Sequence, residues 1–202
     1  MTLNADDVAR LDPWVPPLRG LGRIGLLGGS FNPPHLGHLL MAVAVYATEE
    51  IDHLWVLPTA DHAFGKKLAP FEDRVRMCHL AFRHLAGGAA VLDLESRLPK
   101  PSYTVDTLRA LHAIRPGIKP VWIAGSDIIP DLPKWKEPDE VQRLCRMVIV
   151  PRRGYDGGAR LQIDLPLLSS TDVRDRLALK ADVSGMIDRD VLAFIEKRAL
   201  YT

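Results

Sequence analysis

Cysteine is nearly absent from this chain: Cys78 and Cys145 are the two among 202 residues. They lie far apart, each inside a helical pattern, which argues against a disulfide framework and for two buried free thiols in a reducing cytoplasm. An excess of either charge is also missing. With 26 basic and 25 acidic residues the formal net charge is +1, so nothing favours a polyanion such as nucleic acid as partner. Long apolar runs are lacking too: the longest helical one, residues 39–47, is too short to span a bilayer. The first 12 residues carry Asp6, Asp7 and Asp12 and no apolar core, unlike a secretory signal. There is no H-E-x-x-H, no cysteine cluster, no internal repeat and no low-complexity tract. One motif is present but misplaced. Gly20, Gly22 and Gly25 spell G-x-G-x-x-G, yet a proline-rich stretch precedes them and a strand follows, the reverse of what a dinucleotide fingerprint needs.

What is there reads as one large domain, residues 23–202, after a lead-in of residues 1–22. In the lead-in Pro13, Pro16 and Pro17 are expected to prevent regular structure, with Trp14 as an anchor. Apolar runs at 24–27, 54–57, 89–94, 120–124 and 147–150 read as strands, with a sixth at 161–165 after a glycine-containing loop at 152–160. Helical patterns fill 39–47, 103–114, 138–144, 171–179 and 188–197. Another opens at Pro70, carries Val75, Leu80, Phe82 and Leu85, and stops at Gly87-Gly88. Near-continuous apolar strands alternating with helices predict an α/β fold, a doubly wound, mostly parallel sheet closed by C-terminal helices. In a 3-2-1-4-5 order the polar ends of strands one and four meet at the switch point, where such sheets bind ligands.

The end of strand one is the richest stretch: Gly28-Gly29-Ser30-Phe31-Asn32-Pro33-Pro34-His35-Leu36-Gly37-His38. Glycines let backbone N–H groups approach a ligand, a helix N-terminus favours anions, and histidines three apart share a helical face. The combination predicts a phosphate cradle with His35 and His38 pointed into it; a zinc pair would want a third ligand. Ser169-Ser170-Thr171-Asp172-Val173-Arg174 opens a later helix with three hydroxyls and a guanidinium. Alone it reads rather as an ordinary N-cap with a surface arginine; beside the first cradle it becomes the second half of a polyphosphate site. After strand four come Gly125, Ser126 and Asp127, the aspartate suited to a sugar hydroxyl, to Mg²⁺ near phosphates, or simply to a turn. Trp135 could stack on a planar ring or plug the core. Lys66 and Lys67 could contact phosphate or remain a solvated pair.

These segments, taken in order, resemble a known family. Residues 28–38 are similar to the signature G-G-[ST]-F-[DN]-P-x-H-x-G-H of nicotinate-nucleotide adenylyltransferases, in the HxGH nucleotidyltransferase superfamily. Ser102-Tyr103-Thr104-Val105-Asp106-Thr107-Leu108 resembles the family's S-Y-T-x-D-T-L. Gly125-Ser126-Asp127 with Leu132-Pro133-Lys134-Trp135 resembles its G-x-D and L-P-x-W, and residues 169–174 its S-S-T-x-[IV]-R. The resemblance spans residues 23–201 and implies a Rossmann-like nucleotidyltransferase fold. It implies an activity that joins the 5′-phosphate of nicotinate mononucleotide to the α-phosphate of ATP, with Mg²⁺ carried by ATP rather than by protein ligands.

It also implies that His35, His38 and Arg174 act in catalysis, and that ATP is held by these with Gly28, Gly29, Ser30, Phe31, Gly125, Asp127, Ser170 and Thr171. Asn32, Lys67, Thr104 and Trp135 are implied for the mononucleotide. No nucleic-acid or membrane partner is expected, and a homo-oligomer is compatible. The departure is the loop Pro58-Thr59-Ala60-Asp61-His62-Ala63-Phe64-Gly65-Lys66-Lys67, which replaces the usual P-P-H-[KR]. It looks closer to eukaryotic enzymes of nicotinamide and nicotinate mononucleotides, so the acid is the expected substrate with some activity on the amide. The alternatives are another adenylyl- or cytidylyltransferase of the superfamily and a non-catalytic nucleotide sensor on the same fold.

Overall fold

A computed structural model describes residues 3–61, 65, 67–85, 87–151 and 165–201. Five strands form one sheet: β1 Arg23–Gly29, β2 His53–Pro58, β3 Ala89–Val91, β4 Lys119–Gly125 and β5 Arg146–Val150. All four pairings are parallel and the order is β3-β2-β1-β4-β5, the order the sequence predicts. Side chains alternate along each strand and feed two separate cores. On one face Leu27, Leu54, Val56, Val121, Ile123 and Val148 pack under α2 Leu36–Thr48, α3 Phe71–Ala81, α6 Ser170–Ala178 and α7 Arg189–Lys197. On the other, Leu26, Trp55, Leu57 and Trp122 pack under α1 Ala5–Leu11, α4 Thr104–Ile114 and α5 Pro138–Leu144. The fold is thus doubly wound. Cys78 and Cys145 are buried free thiols, one in each core. Among the described residues no helix is long and apolar enough to cross a membrane.

The lead-in departs from expectation. It is helical over Ala5–Leu11, because Asn4 and Asp7 cap each other's backbone N–H groups at 2.9 and 3.2 Å. Its prolines begin only afterwards, where a 3-10 turn, Asp12–Trp14, tolerates Pro13 near its start. Leu11 and Val15 are buried, and the Arg115 side chain at the end of α4 binds the carbonyls of Asp12, Val15 and Pro16. Trp14 stays 44% exposed, with the Arg97 guanidinium stacked 3.2 Å from its ring centroid.

Three further differences concern boundaries and faces. The third strand stops at Val91, and a 3-10 turn, Leu94–Arg97, follows. The stretch expected as a loop around 131–136 is largely another 3-10 segment, Ser126–Lys134, with Pro130 and Pro133 inside it. α3 buries Asp73, Arg74, Met77, Cys78 and Ala81, while Val75 and Leu80 are only half-buried. Two charged residues take the inner positions because each has partners there: Asp73 binds Arg198, and Arg74 binds three backbone carbonyls. The expected sixth strand and the loop before it lie outside the described residues except for Leu165.

Candidate active site

The order of strands reverses between β1 and β4, and both strands end in glycine there. Gly28 is required by close approach: a Cβ would come within 2.5 Å of the Trp122 indole on β4. Phe31 then turns the chain at φ 45°, a left-handed conformation that costs a bulky residue about 1–3 kcal/mol. Packing holds it there. Its ring is 1% exposed, 4.9 Å from the His38 ring and edge-on to Phe82 at 6.0 Å.

Both histidines stand where this turn enters α2, but not as two helical positions. His35 is extended (φ −135°, ψ 169°) and caps the helix; His38 is its third residue. The His35 backbone N–H donates to His38 Nδ1 at 3.2 Å, and the rings stack with centroids 3.8 Å apart. A donor facing Nδ1 leaves the proton of a neutral His38 ring on Nε2, which makes Nε2–H a donor. Gly37 accommodates the pair, since a Cβ would sit 2.9 Å from His35 Nδ1.

The predicted second anion segment is docked on the same turn. Ser169 caps α6 by accepting from the Asp172 N–H at 3.0 Å. The Ser170 hydroxyl donates to the Pro33 carbonyl at 2.9 Å. Arg174 divides its fork: NH1 donates to the Asn32 carbonyl at 2.7 Å and NH2 to Thr171 Oγ1 at 3.1 Å. Residues 142 positions apart in sequence therefore share one hydrogen bond. The α2 entrance is also fixed from the C-terminal side, where the Leu36 N–H donates to the Met186 carbonyl at 2.8 Å.

Two of the four residues expected for a second nucleotide, Thr104 and Trp135, lie near the start of α4, and Asn32 and Lys67 do not. Thr104 is the first residue of α4 and Tyr103 its cap. Lys136 lies over the Tyr103 ring at 4.7 Å and pairs with Asp106 at 2.8 Å, which brings the neighbouring Trp135 to this helix end. Trp135 is half-buried and edge-on to Trp122 at 6.2 Å, beside a cleft of about 260 Å³ that Leu132, Pro138 and Met147 also line. Asp127 is half-buried in the 3-10 segment after β4. Asn32 is 4% exposed and its side chain is engaged within the fold. Its Oδ1 accepts from the Ala69 N–H and the Tyr201 hydroxyl, both at 2.9 Å, while Nδ2 points at the Lys67 carbonyl, 3.5 Å away. Lys67 is exposed; His62 and Lys66 lie outside the described residues. Among the described residues no three His, Cys, Asp or Glu side chains are grouped to hold a metal.

Sequence reasoning missed four contributors: Arg74, Glu95, Met186 and Tyr201. Arg74 is 1% exposed and donates to the Ser30 carbonyl at 2.8 Å and to Ala69 at 2.9 Å, so it holds the cradle from beneath. Its position on the inner stripe with Met77, Cys78 and Ala81 was the available signal. Glu95, from the 3-10 turn after β3, is 5% exposed and accepts from Thr107 Oγ1 at 3.1 Å. Burial pushes its carboxyl up to about 7, against the opposing pull of Ser102, Thr107, the Ala60 N–H and Arg74.

A parallel sheet with glycine ends at its switch point, histidines at a helix entrance and a forked arginine beside them define a nucleotide-handling α/β protein. Comparison gives the same class: a family model described as Cytidylyltransferase-like matches residues 26–176. A protein of Anaeromyxobacter sp. (strain K) named "Probable nicotinate-nucleotide adenylyltransferase" is 42% identical over 191 residues, covering 91% of this chain and 99% of that one. One of the same name from Myxococcus xanthus is 39% identical, covering 91% and 97%. Among solved structures, the Plasmodium falciparum nicotinic acid mononucleotide adenylyltransferase complexed with NaAD superposes with a TM-score of 0.78. It covers 89% of this chain and 97% of that one at 22% identity, a likeness of fold. The chain belongs to the cytidylyltransferase-like family and, within it, to the nicotinate-nucleotide adenylyltransferases.

Proposed function

We propose that this protein joins the 5′-phosphate of nicotinate mononucleotide to the α-phosphate of ATP, releasing pyrophosphate, as a step in NAD biosynthesis. The observation that carries the reading is the bond from Arg174 to the Asn32 carbonyl at 2.7 Å. It sets a guanidinium on the same turn that presents His35 and His38, as a triphosphate held from two sides requires. The names of the relatives at 39–42% identity support the reaction.

In this reading the mononucleotide phosphate is itself the nucleophile, so the protein positions two anions and neutralises developing charge. The β1–α2 turn with Gly28, Gly29, Ser30 and Phe31, together with His35, His38, Ser170, Thr171 and Arg174, holds the triphosphate, and Gly125 with Asp127 the adenosine side. His38 Nε2–H donates to an oxygen whose charge grows as pyrophosphate leaves. Thr104 and Trp135 bind the pyridine nucleotide, with Lys67 and the Asn32 turn at its margin. A divalent ion, Mg²⁺ in this reading, shields the triphosphate charge when bound, and ATP rather than a protein cluster brings it.

Substrate choice tests the proposal. A site that aims donors at a carboxylate rejects the neutral amide, because the amide NH₂ then faces those donors. Pyrophosphate release should be measured from ATP, and from CTP as a control, with nicotinate and nicotinamide mononucleotides. ATP with the acid should give the highest kcat/KM, with measurable activity on the amide. Preference for the amide or for CTP overturns the assignment. Preference for the acid above about 10⁴-fold would mean that the altered 58–67 loop does not relax selection.

A further inference from the structure

Glu95 is a carboxylate that the phosphate site does not use, buried where an apolar or neutral residue would cost less. Its hydrogen-bond donors come from three separate stretches. Thr107 Oγ1, at 3.1 Å, belongs to α4, one turn past Thr104. The Ala60 N–H, at 3.3 Å, belongs to the loop after β2, and Ser102 belongs to the segment that leads into α4. The last two stretches are also cross-paired over Glu95: Ser102 N–H donates to the Asp61 carbonyl at 3.0 Å, and Asp61 N–H to Ser102 Oγ at 3.2 Å. From α3, Arg74 reaches the Ala60 carbonyl at 3.5 Å while holding Ser30. The Ala60 residue is therefore gripped through its N–H by an acid and through its carbonyl by a base. Its neighbours join the cradle to the start of α4.

We infer that Glu95 is a positioning residue for the second nucleotide, fixing the loop after β2 against the entrance of α4 through Ala60, Ser102 and Thr107. It rests on the function proposed above and adds a residue that never touches substrate. An ionised carboxylate only accepts, so all three donors can converge on it and both walls take one spacing. A carboxamide has the same shape but turns an NH₂ toward one of those donors. A Ser102 or Thr107 hydroxyl facing that NH₂ must turn its own O–H elsewhere, and an Ala60 N–H facing it must move away, so the contact between the walls is reset. The effect falls on the mononucleotide, whose proposed contacts Thr104 and Trp135 gather at this helix end, and not on ATP, held at the α2 and α6 entrances.

The test uses Glu95→Gln and, as a second isosteric change in the same contact, Thr107→Val. Steady-state kinetics give KM for each substrate, calorimetry gives Kd for nicotinate mononucleotide and for ATP separately, and thermal unfolding gives Tm. Loss of one well-made contact should raise KM and Kd for the mononucleotide on the order of tenfold in both variants. ATP values should stay within about twofold, and Tm of Glu95→Gln at pH 8 should equal or exceed that of the parent. Unchanged mononucleotide binding overturns the inference. So does an equal loss for both substrates with a lowered Tm, which marks a purely structural residue. A parent protein that binds the mononucleotide but makes no dinucleotide would overturn the proposed reaction, while the calorimetric comparison would still decide the role of Glu95. A parent that binds no mononucleotide overturns both.

Discussion

At the scale of single residues, His38 and Arg174 carry the sharpest expectations because each has one end tied to backbone. The His35 N–H donates to His38 Nδ1 at 3.2 Å and fixes the ring, so in the proposed reaction its removal deletes a preorganised donor. His38→Ala should lower kcat on the order of 10²-fold or more with little change in unfolding free energy. Near-normal turnover by the purified variant would end its catalytic assignment. Arg174 uses NH1 on Asn32 and NH2 on Thr171 at once. Lysine keeps the charge but cannot make that fork, so Arg174→Lys should raise KM for ATP about tenfold. Unchanged ATP kinetics would return Arg174 to a structural role on the turn. The pairing of these two residues was legible from sequence as two anion motifs; the carbonyl that joins them was not, because a backbone acceptor has no side-chain signature.

Elements were legible where one signal dominated. Residues 138–144 show a proline at the first helical position, acids in the first turn and Arg143 in the last, and the helix has those bounds. α1 was not legible from the three prolines, because they follow the helix and the Asn4–Asp7 capping box that starts it lies ahead of them. The inner face of α3 was misassigned because periodicity counts apolar residues, whereas Asp73 and Arg74 are buried on the strength of their partners. The β1–β4 contact offers a test at this scale. A methyl group on Gly28 would meet the rigid Trp122 ring at 2.5 Å, and neither strand can move without its sheet partners. Gly28→Ala should destabilise by about 1–3 kcal/mol in denaturant unfolding, and adding Trp122→Phe should recover much of it. Equal stability of Gly28→Ala and the parent would show that the contact relaxes freely.

For the molecule as a whole, stability should carry the mark of Glu95. Its carboxyl lies near 4.5 when exposed and is raised to about 7 in the fold, burial outweighing the pull of its hydrogen-bond donors and of Arg74. The folded protein then binds more protons than the unfolded chain between those values, so stability falls as pH rises from about 4.5 to 7. Above that the loss is complete, at about 3 kcal/mol. Glu95→Gln has no such proton to lose, so its stability relative to the parent should climb with pH across this window in urea unfolding. A constant difference from pH 5 to 8 would contradict the account. Whole-molecule topology was the most legible feature, since five apolar runs and their helices admit few right-handed parallel windings. What composition and pattern could not reveal is how distant parts of the chain meet. Asn32 receives the Tyr201 hydroxyl across 169 residues, and its carbonyl receives Arg174. On a ribosome the glycine turn emerges long before either partner, so a growing chain passes through every length with the turn made and its fastenings unmade. The two fastenings arrive in turn, Arg174 first and Tyr201 later, so a product cut between them keeps the first bond to the Asn32 stretch and lacks the second.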